Sequence, residues 1–138
     1  MSSDIDVLMA VYDGAAYLPR QLESLAAQTC PDWRLIVRDD GSTDETQRIL
    51  ADFAAAHPGR VRMLEDGRGN LGATANFAAL MAASDAPYAA LADQDDVWKP
   101  RKLERSLALM RELEAAHGAA TPLLVFSDRE IVDAGERP

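Results

Sequence analysis

Residues 88–96, Tyr-Ala-Ala-Leu-Ala-Asp-Gln-Asp-Asp, change from an apolar run to a cluster of carboxylates within one short stretch. An apolar run of this length is typical of a strand that is buried in a sheet. The same change occurs twice upstream, where residues 5–11 lead into Tyr12-Asp13-Gly14 and residues 33–38 lead into Asp39-Asp40-Gly41. The sequence therefore predicts three strands that each end in polar residues, and the first of them, residues 5–11, is predicted to be buried.

Helical periodicity separates these predicted strands. Leu18, Leu22 and Leu25 are spaced so that they share one face of a first helix. The pair Ser42 and Glu45 has the spacing of a capping box, which predicts the start of a second helix there.

The alternation continues to the end of the chain. We expect a short strand over residues 61–64, a helix around 77–81 and another that begins at Pro100, followed by strands over 123–126 and 130–132. This order predicts an α/β fold, with a Rossmann-like, mostly parallel sheet and helices on both faces. Ligands of such sheets bind at the carboxyl ends of the strands, where the polar clusters fall.

Composition and charge exclude several classes of protein. The chain has 138 residues, which is enough for one domain with its own core. Its net charge of −9 argues against a nucleic-acid partner, because such binders are normally basic. The apolar runs are far shorter than the roughly 18 residues of a transmembrane segment, and the start lacks the basic stretch of a signal peptide. A single cysteine, Cys30, fits a reducing compartment, so we expect a cytoplasmic protein, held at the inner face of the membrane only through partners.

The acidic cluster at residues 93–96 predicts a metal site. Alternate residues of an extended segment point the same way, so Asp93 and Asp95 can face one ligand. Paired carboxylates are the hard oxygen donors that Mg²⁺ or Mn²⁺ prefers. The alternative is a solvated turn in which Asp96 caps the next helix.

Two further segments each allow two interpretations. Asp39 and Asp40 could accept hydrogen bonds from a nucleobase or a ribose, or the segment could be a connection in which Ser42 and Asp44 only cap a helix. The glycines of residues 68–72 could let a phosphate approach, or this loop could be a flexible connection.

Five motifs in order carry a resemblance to a known family. They are Val7 to Gly14, Leu22 to Thr29, Val37 to Asp44, Asn70-Leu71-Gly72 with Asn76-Phe77, and Ala92 to Trp98. With these motifs the chain resembles the N-terminal, donor-binding half of family 2 glycosyltransferases with the GT-A fold, over nearly all of residues 5–113. The variant Asp-Gln-Asp-Asp-Val-Trp is similar to bacterial rhamnosyltransferase-like members that build surface polysaccharides.

The resemblance implies roles for these residues. Asp93 and Asp95 match the Asp-X-Asp motif, in which Asp95 would ligate Mg²⁺ or Mn²⁺ on a UDP- or dTDP-sugar and Asp93 would contact the ribose, the sugar or the metal. Either Asp39 or Asp40 would hold the base, and the family commonly has Asn where Asp13 stands. The residues implied to bind the nucleotide sugar are Ala10, Tyr12, Asp13, Asp39, Asp40, Asn70 and Asp93.

The resemblance also implies a missing part. Family members are considerably longer, and their acceptor-binding region and general base lie beyond the position of Pro138. Asp128, the only late acid at a predicted strand end, is a weak candidate for that base. We therefore expect residues 1–138 to be a single nucleotide-sugar-binding domain, truncated at its C-terminus and with little transferase activity. A glycan or lipid-linked acceptor would be the second substrate, and exposed apolar surface would permit oligomers.

Two rival interpretations use the same aspartates. In a phosphatase of the haloacid-dehalogenase type, Asp93 would accept a phosphoryl group and Asp95 would act as acid and base. In a receiver-type signalling domain, which has a similar length and alternation, an aspartate would be phosphorylated without further chemistry. The phosphatase motif belongs on the first strand, and too little chain follows Asp93 for the lysine and the later acidic pair that it needs. A receiver domain needs an acidic pair after its first strand and a lysine after its fifth, whereas here the acids follow the second and fourth strands.

Overall fold

Strands and helices alternate along residues 3–138, the part of the chain that the computed structural model describes. The elements are β1 (Ile5–Val11), α1 (Leu18–Ala26), β2 (Trp33–Asp39), α2 (Thr46–Ala56), β3 (Val61–Met63), α3 (Ala73–Ala83), β4 (Tyr88–Asp93) and α4 (Lys102–His117). The strands form one parallel sheet in the order β3-β2-β1-β4, which confirms the predicted α/β fold. Each helix within the described residues is too short or too polar to span a lipid bilayer.

The core lies on both faces of this sheet, because alternate residues of a strand point to opposite sides. Val7, Met9 and Val11 face a cluster that contains apolar residues of α1, α2 and α4. Leu8 faces the other side, where it packs with Ile36 and with Leu80 of α3. Helices on both faces explain why the inner strands are apolar runs.

The start of α2 differs from the capping-box prediction, which is wrong. Helix α2 begins at Thr46 with Glu45 at the N-cap position. The Ser42 hydroxyl donates to Asp39 instead, and the backbone N–H of Thr46 donates to Asp44 at 3.0 Å. The Ser42 hydroxyl can bond either to the start of a helix or to Asp39, and in this structure it bonds to Asp39.

The start of α4 also differs from expectation. The helix begins at Lys102, with Arg101 rather than Asp96 at its N-cap position, so the capping role of Asp96 is wrong. Pro100 precedes the helix instead of opening it. The helix ends at His117, and Gly118 takes the C-cap position with a φ of 90°.

The last twenty residues do not extend the sheet. The predicted strands over 123–126 and 130–132 are wrong, because both segments lie outside the four strands of the described chain. Leu124 and Phe126 are 81% and 86% exposed. An apolar run becomes a strand only where it meets a pairing partner, and residues 123–126 are paired with none of the four strands of the described chain. Asp128 therefore does not follow a strand.

A charged pair with a buried carboxylate and a half-buried guanidinium lies at the amino end of the sheet. Asp6 and Arg34 are partners in the register of β1 and β2, and Asp6 is fully buried. Arg34 donates two hydrogen bonds of 3.0 Å to the Asp6 carboxylate, and Ser84 donates a third of 2.7 Å. Burial raises the pKa of Asp6, but the bonds from Arg34 and Ser84 outweigh it and hold the pKa below its usual value.

Acidification should therefore remove the stabilisation that Asp6 provides. Because the pKa of Asp6 is lower in the folded chain than in the unfolded one, the unfolded chain binds more protons below about pH 4. We expect the free energy of unfolding to be steady near neutral pH, to fall as the pH drops through this range, and to fall less steeply in Asp6→Asn. Urea unfolding over a pH series measures this slope, and equal slopes in both proteins would contradict the assignment.

Candidate functional site

An open cleft lies at the carboxyl ends of β1, β2 and β4. Its volume is about 370 Å³. Since β1 lies between β2 and β4, this is the position where open α/β sheets bind ligands. Most of the site residues expected from the sequence line the cleft, namely Ala10, Tyr12, Asp40, Asn70, Asp93 and Asp95.

The end of β1 forms one wall of the cleft. Ala10 is the register partner of Asp93, and its small side chain leaves space beside that carboxylate. Tyr12 follows the strand, and its side chain is 51% exposed at the rim. A large aromatic group held at the edge of a cleft can offer its ring face to a planar ligand.

Asp40 lies at the end of β2 and is the buried acid of the cleft. One carboxylate oxygen accepts hydrogen bonds from Arg38 at 2.7 Å and from the backbone of Leu71 at 2.8 Å, and the other accepts one from Gly72 at 2.9 Å. Burial raises the pKa of Asp40, but these bonds outweigh it and the pKa stays below its usual value. The carboxylate is thus charged at neutral pH and keeps acceptor capacity for a ligand.

Arg38 fastens the loop of residues 64–72 to β2. Arg38 is 2% exposed, and its guanidinium reaches Asp40, the Asp66 carboxylate at 3.0 Å and the Gly69 carbonyl at 2.8 Å. The Arg38 guanidinium holds the pKa of Asp66 well below its usual range. Asn70 adds a bond of 3.0 Å from its amide to the Asp40 carbonyl. The loop is therefore a tethered wall of the cleft rather than a free connection.

Asp39 lies outside the cleft. One of its carboxylate oxygens accepts hydrogen bonds from the hydroxyl and the backbone N–H of Ser42, at 2.5 and 3.2 Å. The other accepts a bond of 2.7 Å from Gln47. Of the two aspartates that the sequence left open, Asp40 is thus the one that faces the cleft.

Asp13 also lies outside the cleft, in the loop that follows β1. Its φ of 44° falls in the left-handed region, which Asp and Asn adopt more readily than other residues with a Cβ. Its carboxylate accepts a bond of 2.8 Å from the backbone of Thr43. Three successive backbone N–H groups of this loop donate to side chains after β2, and the pairs are Asp13 with Ser42, Gly14 with Thr46 and Ala15 with Asp44.

Asp93 and Asp95 bring two carboxylates into the cleft at the end of β4. Partial desolvation raises the pKa of Asp93, and the like charges of Asp96 and Asp95 raise it further. Within residues 3–138, sets of three acidic, histidine or cysteine side chains that could enclose a metal are absent. Mg²⁺ is usually bound by one or two carboxylates together with phosphate oxygens of a substrate, so this donor pair fits a cation that a ligand helps to hold.

Helix α1 and Gln28, which lies two residues beyond the end of the helix, hold the segment that carries these carboxylates, a role that was not predicted from the sequence. Gln21, Ser24 and Gln28 are buried in spite of their polarity. Each bonds to the backbone of residues 93–99, and the pairs are Gln21 with the Asp93 carbonyl, Ser24 with the Trp98 N–H and Gln28 with the Lys99 carbonyl. Their spacing of three and four residues, beside the apolar face of α1, was the available signal.

Solved structures share this fold. Residues 1–349 of S. aureus TarS, in complex with UDP-GlcNAc, match 81% of this chain and 32% of that chain with a TM-score of 0.70 and 22% identity. A mannosyltransferase from Pyrobaculum calidifontis, in complex with GDP-Man and Mn²⁺, matches 83% of this chain and 33% of that chain with a TM-score of 0.68 and 20% identity. At these identities the likeness shows the fold alone, which is that of the GT-A enzymes.

Protein sequences identify the family. The protein EpsE of Bacillus subtilis is 32% identical over 125 residues, which are 90% of this chain and 44% of that protein. The dTDP-rhamnosyl transferase RfbG of Shigella flexneri is 31% identical over 102 residues, 72% of this chain and 35% of RfbG. The chain thus spans less than half the length of these relatives.

The family model for glycosyl transferase family 2 matches residues 6–130. This match overturns the phosphatase and receiver interpretations and accounts for the order of motifs along the chain. The chain belongs to glycosyl transferase family 2.

Proposed function

We propose that residues 1–138 form the domain that binds the nucleotide-diphosphate sugar of a metal-dependent glycosyltransferase. The observation that carries this proposal is the composition of one cleft. It combines a buried, charged acceptor in Asp40, an exposed ring in Tyr12, and the carboxylates of Asp93 and Asp95. These groups can accept a hydrogen bond from a base, stack on the face of that base, and ligate a metal ion that holds a diphosphate.

The end of β2 and the rim of β1 would bind the base. Asp40 is charged and can only accept hydrogen bonds, so it selects a ring that offers an N–H, as uracil and thymine do. Tyr12 would stack on the base. We do not assign base binding to Asp39, because its carboxylate already accepts hydrogen bonds from Ser42 and Gln47.

The end of β4 would bind the diphosphate. Asp95 would ligate Mg²⁺ or Mn²⁺ with help from Asp93, which also lies within reach of a ribose or sugar in the cleft. A divalent cation bound there would stabilise, as a Lewis acid, the negative charge that develops on the departing diphosphate. The tethers from α1 would keep both carboxylates in place during that step.

The acceptor and the general base remain outside this assignment. Asp128 is no longer a candidate for the base, because it follows an unpaired segment and is not among the residues that line the cleft. The resemblance supports a glycan or lipid-linked acceptor and a place in surface polysaccharide synthesis, and the single cysteine supports a cytoplasmic location. We propose that the 138 residues alone bind the donor and transfer sugar weakly or not at all.

Calorimetric titration of UDP, dTDP and GDP into the chain, each with and without Mn²⁺, tests the proposal. RfbG is named as a dTDP-rhamnosyl transferase and TarS was solved with UDP-GlcNAc, so both pyrimidine nucleotides are candidates. We expect one of them to bind in the presence of Mn²⁺ and to bind much more weakly without it. A folded chain that binds none of the three nucleotides would overturn the proposal.

Tyr12→Ala should weaken the binding of the preferred nucleotide by about tenfold, because stacking of a base on an aromatic side chain contributes about 1–3 kcal/mol. Tyr12→Phe should keep most of the affinity, since the ring face remains. Tyr17→Ala is the matched control, because Tyr17 is equally exposed, at 52%, but lies outside the cleft at the start of α1. Equal losses in the Tyr12→Ala and Tyr17→Ala proteins would contradict the stacking role.

A further inference from the structure

Gln94 joins the acidic segment to the loop after β1. Its side-chain oxygen accepts a hydrogen bond of 2.9 Å from the backbone N–H of Tyr12, and its side-chain NH₂ donates one of 3.0 Å to the Tyr12 carbonyl. Backbone pairing between β1 and β4 ends at Ala10 and Asp93. The Gln94 amide therefore continues the pairing of these strands for one more step, at the mouth of the cleft.

Gly14 provides the space for this contact. A Cβ atom at Gly14 would lie 2.3 Å from the Gln94 side-chain oxygen and 2.5 Å from its amide carbon. The backbone of Gly14 lies outside the left-handed region, in contrast to the six glycines that adopt a positive φ. Glycine is thus required here for packing against Gln94 and not for its backbone conformation.

We propose that Gln94, Tyr12 and Gly14 form a clasp in which Gln94 is a positioning residue for donor binding. This inference rests on the proposed function. Gln94 and the two residues that flank it, Asp93 and Asp95, line the cleft, and the backbone that Gln94 contacts carries the Tyr12 ring. Gln21 of α1 holds the Asp93 carbonyl, and backbone pairing joins β1 to β4 as far as Asp93. Beyond that point the Gln94 amide joins the residue that carries the ring to the segment that carries the carboxylates.

The first test is a double-mutant cycle of Gly14→Ala and Gln94→Ala, measured as the urea midpoint of unfolding. We expect Gly14→Ala to lower the midpoint clearly when Gln94 is present and to change it little in the Gln94→Ala protein, because the added methyl group then meets no side chain. Equal shifts in both backgrounds would overturn the clasp.

The second test separates positioning from stability. UDP and dTDP are titrated in the presence of Mn²⁺ into the parent chain, into Gln94→Ala and into Arg34→Ala, which destabilises the opposite end of the sheet through Asp6. We expect Gln94→Ala to weaken binding at least tenfold and Arg34→Ala to leave it near the parent value at a temperature where all three are folded. Equal affinities in the parent and Gln94→Ala would overturn the positioning role alone, as would equal losses in both variants. A folded parent chain that binds neither of these nucleotides, and does not bind GDP either, would overturn the proposed function and, with it, this role of the clasp.

Discussion

Asp95→Asn should abolish the Mn²⁺-dependent part of UDP or dTDP binding without destabilising the fold. We expect a loss of about 100-fold or more, because exchange of residues that only support metal ligands already costs about 10–100-fold. The side chain is exposed and stands among like charges, so its neutralisation removes repulsion from the segment. Calorimetry with and without Mn²⁺ measures the first effect, and urea unfolding measures the second.

Asp96→Asn is the matched control for this experiment. It removes the same charge one residue further along, from an exposed side chain that is not among those lining the cleft. We expect its Mn²⁺-dependent affinity to stay close to that of the parent chain. Equal losses in the two variants would mean that only the net charge of the segment matters, and Asp95 would lose its role as a ligand.

Arg38→Met should lower the free energy of unfolding by about 3–5 kcal/mol, since removal of one partner from a buried ion pair leaves the other charge uncompensated. Both Arg38 and Asp40 are almost fully buried, and Asp66 also depends on this guanidinium. The loop of residues 64–72 should lose its tether, so nucleotide affinity should fall together with stability. Urea unfolding gives the first quantity, and calorimetry gives the second.

Arg68→Met tests whether burial is the reason for the effect of Arg38. Arg68 also pairs with Asp66, at 2.7 Å, but its side chain is 53% exposed. Exposed ion pairs contribute only about 0–1 kcal/mol, so this variant should unfold at nearly the parent urea concentration. Similar destabilisation by the two substitutions would contradict the assignment of Arg38 as the residue that anchors the loop.

The sheet could be predicted from the sequence because each inner strand is covered on both faces. Under that condition a strand must be apolar along its whole length, and residues 5–11 stand out from their surroundings. Parallel strands also place their carboxyl ends at one edge, so Asp40 and Asp93 could be expected to share a cleft. Most of the candidate site follows from these two rules.

Other features depend on partners that are distant in sequence. Ser42 could cap α2 or bond to Asp39, and its position beside the Asp13 backbone, twenty-nine residues away, favours the second arrangement. Residues 123–126 are apolar enough for a strand, but the pattern cannot say whether a sheet edge is within reach. The burial of Arg38 and Gln21 could not be predicted from the sequence either, because polar residues of these types are more often exposed.

The pairing of β1 also has a consequence for how the chain folds. Ile5 pairs with Trp33 on one side and with Tyr88 on the other, and the second contact closes a loop of about 80 residues. Contacts between such distant residues slow folding. During synthesis, the edge of β1 that pairs with β4 stays unpaired until β4 has left the ribosome. The seam between β1 and β4, where the Gln94 clasp lies, is therefore the last part of the sheet that a growing chain can complete.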